Sequence, residues 1–336
     1  MDRRRALGVA LVAVSAAGFG SGTILSKPIY AAGLDWLQLL AWRFAIGAIM
    51  AWAWVAASGP RRSAVRRLGG LPLAGAIGLG IWFTGNAGTY YAGLEKVPAS
   101  LAAVLVYLYP ALVAVLSIRF ATRLAGRRPW IALGVAMCGV VLALGGVQLA
   151  TPPPLSSVLL VLASPVVYAG WIILSARLAG ERRDRLAHEA SPGGGADDAA
   201  ATTAVMITAT AVVFVGAAIV FGRPLAPTTL PNGIWPLLVA NGFASTFLAI
   251  QGFYAGARRI GAAQAALIST IEPLIIVTLA ALLLDDVLAP VQLVGAALIL
   301  AGVIIAQTGD RPVGPPEPAD ALDIGVPARA SDLESG

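Results

Sequence analysis

Apolar residues run in stretches of about 20 along most of the chain, and short polar segments separate them. An α-helix rises about 1.5 Å per residue, so such a stretch is long enough to cross the hydrocarbon core of a bilayer, which is about 30 Å thick. Ten stretches of this kind predict ten transmembrane helices, called spans 1 to 10. They cover residues 6–25, 36–57, 72–94, 98–118, 129–148, 155–176, 201–221, 234–256, 262–283 and 289–307.

Composition supports this pattern, because 58% of the residues are hydrophobic and only 12% are charged. A soluble domain carries about twice that charged fraction. The sequence therefore predicts an all-α integral membrane protein.

Basic residues lie mainly on one side of the predicted spans. The segments on the side of the amino terminus hold nineteen Lys and Arg residues and the opposite segments hold three, while Arg43 lies inside span 2. Cytoplasmic loops retain Lys and Arg, so both termini are predicted to be cytoplasmic in a multi-pass protein of the cell membrane. The net charge of +6 is explained by this orientation and by lipid headgroups, without a nucleic-acid partner.

Two polar segments interrupt the apolar pattern. Residues 180–200 are rich in Gly and charged residues and predict a cytoplasmic linker, and residues 308–336 are rich in Pro and acidic residues and predict a disordered tail. The single cysteine, Cys138, and the single histidine, His188, cannot supply a ligand set for a metal. We expect no metal and no cofactor.

An internal repeat divides the chain into two copies. With a shift of 163 residues, "YAGLEKVPASLAAVLVYLYPALVAV" from Tyr91 aligns with "YAGARRIGAAQAALISTIEPLIIVT" from Tyr254. Spans 1 and 6 align with a shift of 149 residues, so that Ser15 falls on Ser164. The repeat predicts two five-helix units, residues 6–148 and 155–307, with the linker inside the second.

Five is an odd number of spans, so the second copy must cross the membrane in the opposite direction from the first. Inverted repeats of this kind build a site near the midplane of the membrane, between the halves, that opens alternately to each side. The pattern therefore indicates a transporter.

The two copies resemble EamA-type domains of the drug/metabolite transporter superfamily. The resemblance covers roughly residues 6 to 307 and rests on "AWRF" in span 2, the "YAG" entry into spans 4 and 9, "EPL" in span 9 and the closing "LLLDDVLAPVQLVGAALILAGVIIA". It implies a secondary transporter of amino acids, related metabolites or drug-like compounds, with export favoured over import. Family members often carry a Glu where Asp285 or Asp286 stands, and the first copy has no acid there.

Glu272 and Arg43 are the charged residues placed deep in the predicted spans. A charge near the centre of a membrane helix costs about 2.5–3.5 kcal/mol on insertion scales, so both should face the interior of the bundle. Glu272 either lines the central cavity, where it binds a cationic group or exchanges protons, or ties span 9 to its neighbours. Its counterpart in the first copy is Tyr109, which makes the predicted site asymmetric.

Further polar and aromatic residues lie on helix faces that should point away from lipid. Such residues serve either as ligand contacts or as hydrogen-bonding links between helices, and the sequence leaves both open. With Glu272 and Tyr109, the candidate substrate-binding residues are Trp82, Asn86, Tyr90, Tyr168, Trp171, Asn241 and Gln264.

Three other residues are candidates for structural or coupling roles. Pro110 and Pro273 occupy equivalent positions in the two copies and each removes a backbone hydrogen bond within a span. Arg43 is expected to act as a tether to a neighbouring span or loop carbonyl.

Other classes of protein fit the sequence less well. An intramembrane serine protease needs a His near its Ser, and an aspartyl protease needs two buried acids, so we expect no enzyme. A channel or a membrane scaffold remains the alternative to a carrier. The expected partners are a small-molecule substrate, membrane lipids and protons if transport is coupled to them, with the chain acting as a monomer or a homodimer.

Overall fold

The computed structural model describes residues 3–97, 102, 105–106, 108–109, 111–113, 116, 127–144, 153–178, 194–283 and 290–307. Every element within these residues is helical. The main helices are α1 (Arg3–Ala31), α2 (Trp36–Ala56), α3 (Gly59–Arg67), α4 (Gly70–Leu94), α5 (Arg128–Leu144), α6 (Leu155–Leu178), α7 (Gly194–Val220), α8 (Trp235–Ile260), α9 (Ala262–Ile268), α10 (Glu272–Leu283) and α11 (Pro290–Gln307).

Five of the described helices, α1, α2, α6, α7 and α8, are long and apolar enough to cross a membrane. Helices α3 and α4 pass the same test together, but they meet at a bend of 100°. Most of span 4 lies outside the described residues. The structure therefore has the helices of a multi-pass membrane protein, while the number of ten spans stays a prediction.

Helix α1 continues six residues beyond the predicted end of span 1, so that prediction was wrong at this boundary. Lys27 and Pro28, which follow the predicted end, lie within the helix. The ammonium group of Lys27 donates to the carbonyls of Leu94, at 2.9 Å, and Val97, at 3.2 Å. Because these carbonyls lie at the end of α4, where the helix dipole favours a cation, the charge is accommodated without ending α1.

Two segments predicted as loops contain helix. The basic segment between spans 2 and 3 forms α3, whose Arg61 lies 3.6 Å from the ring centroid of Trp54 and whose Ala64 is buried. Helix α7 begins at Gly194, inside the predicted 180–200 linker. Residues 180–193 of that linker and the predicted tail lie outside the described residues.

Helices α1 and α8 pack with their backbones in contact. A Cβ atom on Gly256 of α8 would meet the carbonyl oxygen of Gly8 at 2.8 Å and the nitrogen of Val12 at 3.2 Å. A glycine is therefore required at this crossing, since any side chain would collide with the backbone of α1.

Helices α4 and α6 repeat this crossing almost atom for atom. A Cβ atom on Gly93 of α4 would meet the carbonyl oxygen of Ser157 at 2.7 Å and the nitrogen of Val161 at 3.2 Å. The glycines of the two crossings are 163 residues apart, and the α6 residues follow their α1 counterparts by 149 residues. Both shifts are those of the sequence repeat, so the duplication is visible in the packing.

A hydrogen bond from serine is also repeated. Ser15 of α1 donates to the carbonyl of Ala249 in α8 at 2.7 Å, and Ser164 of α6 donates to Oδ1 of Asn86 in α4 at 2.8 Å. These four positions match under the same two shifts. The equivalent helix pairs are thus joined by equivalent contacts.

A second crossing is repeated in the two copies, because α8 crosses α2 in the same way as α4 crosses α7. A Cβ atom on Gly242 of α8 would lie 3.0 Å from the carbonyl oxygen of Arg43, and one on Gly80 of α4 would collide with the carbonyl oxygen of Met206. Arg43 and Met206 are therefore equivalent positions in the two copies.

Helix α8 has one residue more than α4 between these two crossings. Helix α4 advances thirteen residues from 80 to 93, and α8 advances fourteen from 242 to 256. The extra residue is accommodated in the π-helical turn Gly242–Leu248. Such turns leave backbone carbonyls less well satisfied than a regular α-helix does and occur frequently at functional sites.

Candidate functional site

Glu272 follows a 3₁₀ turn that breaks the α-helical hydrogen-bond pattern of the segment predicted as span 9. Helix α9 ends at Ile268, a 3₁₀ turn follows over Ser269–Ile271, and α10 begins at Glu272. The backbone N–H of Glu272 donates to the carbonyl of Ser269, so the chain remains helical through this turn. The Cγ atom of Glu272 is 3.4 Å from the place where a Cβ on Gly20 would be, so α1 approaches the carboxylate through a glycine.

A cluster of aromatic rings borders this break. Tyr168 is central to it, with its ring centroid 4.8 Å from that of Tyr109 and 5.9 Å from that of Trp171. Phe253 and Phe83 lie 5.8 and 5.0 Å from Trp171. We call Phe83, Tyr109, Tyr168, Trp171 and Phe253 the aromatic cluster. Both copies contribute rings to it, since α4 belongs to the first copy and α6 and α8 belong to the second.

The carboxylate of Glu272 lies within electrostatic range of tyrosine hydroxyls from several parts of the chain. It interacts electrostatically with the hydroxyls of Tyr109 and Tyr168 in the cluster and of Tyr90 in α4. Trp171 and Tyr109 are fully buried. An acidic group bordered by aromatic faces and phenol hydroxyls can bind an organic cation, or it can take up a proton if it is desolvated.

Arg43 of α2 is 98% buried and binds the π-helical turn of α8. Its Nε atom donates to Oγ1 of Thr246 at 2.8 Å, and its Nη2 atom donates to the carbonyl of Ser245 at 2.7 Å. The guanidinium carbon lies 4.7 Å from the ring centroid of Tyr91. Within the described part of the chain, the Nη1 atom has no hydrogen-bond partner. This is the geometry of a tether between α2 and the turn.

A polar layer between α1 and α8 adjoins the tether. The amide of Asn241 donates to the carbonyl of Gly22 and to Oγ of Ser26, both at 3.3 Å. Ser245 donates to Oδ1 of Asn241 at 2.5 Å. All these side chains are buried, so the bonds satisfy polar groups that have no access to water.

Tyr90 connects α4 to α1 near this layer. Its hydroxyl lies 3.3 Å from Oγ1 of Thr23, and the side chain is 9% exposed. Tyr90 and Asn241 therefore lie beside the aromatic cluster rather than within it.

Trp82 and Asn86 lie at the contact between α4 and α6. The indole of Trp82 donates to the carbonyl of Val167 at 2.8 Å and remains 47% exposed. Asn86 accepts from Ser164 and is half-buried. Each of these contacts joins two helices, and the structure does not bring Trp82 into the aromatic cluster.

The other candidates are only partly described. Gln264 is half-buried in α9, and Pro273 is the second residue of α10. Pro110 lies outside the described residues.

Several residues of this region were not predicted as candidates. Thr246 and Tyr91 hold the guanidinium of Arg43, and Phe83 and Phe253 complete the aromatic cluster. Hydropathy cannot separate such residues from ordinary packing. A signal was nevertheless present in the one-residue mismatch between the two copies before Tyr254, which marks the π-helical turn.

The model of the EamA-like transporter family matches this chain twice, over residues 6–145 and 155–308. The two matches together cover most of the chain. The protein belongs to the EamA-like transporter family. The family resemblance seen in the sequence is thereby confirmed, and the chain is a membrane transporter of small substrates.

The fold is shared with solved structures. One crystal structure of another protein aligns with a TM-score of 0.69 over 89% of this chain and 96% of its own, at 19% sequence identity. At that identity the likeness shows the fold alone. No curated protein sequence matches this chain significantly.

Proposed function

We propose that this EamA-like protein exports a small metabolite across the cytoplasmic membrane as a secondary transporter. The substrate class is an amino acid, a related metabolite or a drug-like compound. Ten spans in two inverted halves, with both termini in the cytoplasm, would alternate access to a central site. The observation that supports this is the placement of Glu272, whose carboxylate starts α10 at a helix break and borders aromatic rings from both copies.

The site would use two kinds of contact. Glu272 would bind a cationic group of the substrate or a proton, and Tyr109, Tyr168 and Trp171 would pack against its apolar part. Helix breaks between inverted repeats are where secondary transporters place ligands, because the freed backbone groups and the helix dipole act at the midplane of the membrane.

The remaining candidates would act around this centre. Tyr90 would keep α1 in register with α4, and Asn241 would keep α1 in register with α8. The α4–α6 contact would be controlled by Trp82 and Asn86 as the halves move. Gln264 would extend the polar face of α9 toward Glu272. Arg43 and the two prolines, Pro110 and Pro273, would set where helices bend.

The test is the Glu272→Gln variant, which keeps the shape of the side chain and removes its charge. Comparison of the metabolites excreted by cells with and without the protein identifies the compound to be used. Its flux is then measured in proteoliposomes, once as exchange and once driven by a pH gradient. Thr278→Val serves as a control, because Thr278 is exposed on the same helix and bonds only to its own turn.

A proton-coupled carrier would lose pH-driven accumulation in Glu272→Gln, by at least about tenfold, and retain exchange. A carrier that binds a cationic substrate through Glu272 would lose both. Normal pH-driven transport in a well-expressed Glu272→Gln variant would contradict the proposed site. Flux that neither saturates nor exchanges would point to a channel.

A further inference from the structure

A crevice of about 590 Å³ lies between α2, α4, α6 and α7, away from Glu272. Gly85 and Gly88 of α4, Leu160 of α6 and Phe214 of α7 are among the residues that line it. The apolar side chains at its edge are open to the surroundings, since Leu160 is 39% and Val213 is 38% exposed. Because these helices cross the membrane, the crevice opens sideways toward lipid hydrocarbon.

The depth of the crevice matches one leaflet of a bilayer. Its lining follows α4 from Glu95, at the mouth, to Thr84, at the deep end. Glu95 lies eleven residues after Thr84 along the helix. This separation corresponds to a length of about 16 Å, which is about half of the thickness of the hydrocarbon core. An acyl chain of a membrane phospholipid occupies that depth.

The mouth carries both signs of charge. Glu95 and Lys96 are adjacent and exposed, and the Oε2 atom of Glu95 accepts from the backbone nitrogen of Trp36 at 3.2 Å. Ser156 adds a hydroxyl on the α6 side. A lysine and a glutamate at headgroup level complement a phosphate and an ammonium group, respectively.

Beyond the deep end, an apolar groove continues along the same face of the bundle. It has a volume of about 400 Å³, and Val213 lines both spaces. The groove is formed by residues such as Ile77, Ile81 and Val212, all of which are exposed. The face therefore presents one continuous channel to hydrocarbon, with charges only at the Glu95 end among the residues that line it.

The crevice depends on small residues that the second copy lacks. Gly85 and Gly88 correspond under the 163-residue shift to Leu248 and Gln251. Ala217 of the crevice corresponds to Trp54, whose ring packs against that of a neighbouring phenylalanine with centroids 6.4 Å apart. The shared scaffold does not create the crevice, since large side chains occupy the equivalent positions.

We infer that this crevice is a binding site for one membrane phospholipid with a zwitterionic headgroup. One acyl chain lies in the crevice, over Gly85, Gly88 and the edge of Phe214. Lys96 binds the phosphate, and Glu95 binds the ammonium group.

The test fills the crevice without disturbing the fold. A Cβ on Gly88 would lie 3.7 Å from Phe214 and 3.9 Å from Trp36, which is ordinary contact, so Gly88→Leu should fold. Gly78→Leu is the matched control, because Gly78 lies on the same helix with open space around it. Binding of palmitoyl-oleoyl phosphatidylethanolamine to the detergent-purified full chain is measured by native mass spectrometry.

We expect Gly88→Leu to lower occupancy by the tightest-bound lipid at least about tenfold, because the leucine occupies the space of the acyl chain. Gly78→Leu should bind as the unchanged protein does. Lys96→Gln should reduce the preference for phosphatidylethanolamine over diacylglycerol of the same chains. Equal lipid occupancy in the two leucine variants would overturn the site. A change in the oligomeric state of Gly88→Leu without a change in lipid occupancy would also overturn it, because it would indicate that a second copy of the chain occupies the crevice.

Discussion

The α1–α8 and α4–α6 interfaces are equivalent in position and different in chemistry. Each has a glycine whose Cβ would collide with the partner backbone, and each has a serine that donates across the interface. Helix α8, however, contains the extra residue of the π-helical turn and receives the guanidinium of Arg43. In the other copy, Met206 takes the place of Arg43.

The difference shows which features a duplicated scaffold retains. Where two helix backbones touch, no other residue fits, so glycine persists in both copies. Side chains that point toward the centre have no such constraint, and they differ as Glu272 differs from Tyr109. The result is a symmetric frame around an asymmetric site.

The largest expected effect is the loss of either backbone contact. We expect Gly93→Val and Gly256→Val each to destabilise the protein by about 3 kcal/mol, because the added atoms would force two helix backbones apart. Thermal unfolding in detergent, followed by size-exclusion chromatography, measures the change.

Gly78→Val controls for the helix propensity of valine, since Gly78 has open space around it. It should change stability by no more than about 1 kcal/mol, because valine is a slightly better helix former than glycine and meets no neighbour there. A large loss of stability at only one of the two interface glycines would show that the two interfaces are not equivalent.

The sequence predicted the frame better than the site. The shifts of 163 and 149 residues predicted which helices correspond, because backbone contacts preserve small residues at fixed spacing. The π-helical turn was missed, since one extra residue in an apolar helix does not change its hydropathy. Trp82 was placed on an inward face, but a polar or aromatic stripe does not tell which neighbour it meets.

Arg43 is present in one copy and has no charged counterpart in the other, where Met206 takes its place. Arg43→Met introduces the residue of the other copy and leaves Thr246 and the carbonyl of Ser245 without their donor. We expect a loss of about 2 kcal/mol, because both groups are buried. Hydrogen exchange should rise over residues 242–248 and remain unchanged over the equivalent part of α4.

Met206→Leu is the matched control, since it alters the equivalent side chain and removes no hydrogen bond. It should cost less than about 1.5 kcal/mol. If Arg43→Met and Met206→Leu have the same effect on stability and exchange, Arg43 does not stabilise the turn.

The smallest expected difference is between the two serines. Ser15 donates to the backbone carbonyl of Ala249, which the backbone of α8 can also satisfy, so Ser15→Ala should cost about 0.5 kcal/mol. Ser164 donates to the side chain of Asn86, and Ser164→Ala should cost about 1 kcal/mol, because the amide oxygen loses its donor within the membrane. A double-mutant cycle of Ser164→Ala and Asn86→Ala should give a coupling energy of about 0.6 kcal/mol. A larger cost for Ser15→Ala than for Ser164→Ala would contradict this order. It would mean that the α1–α8 interface depends on its serine more than its geometry indicates, so that the two hydrogen bonds match in position but differ in what they contribute.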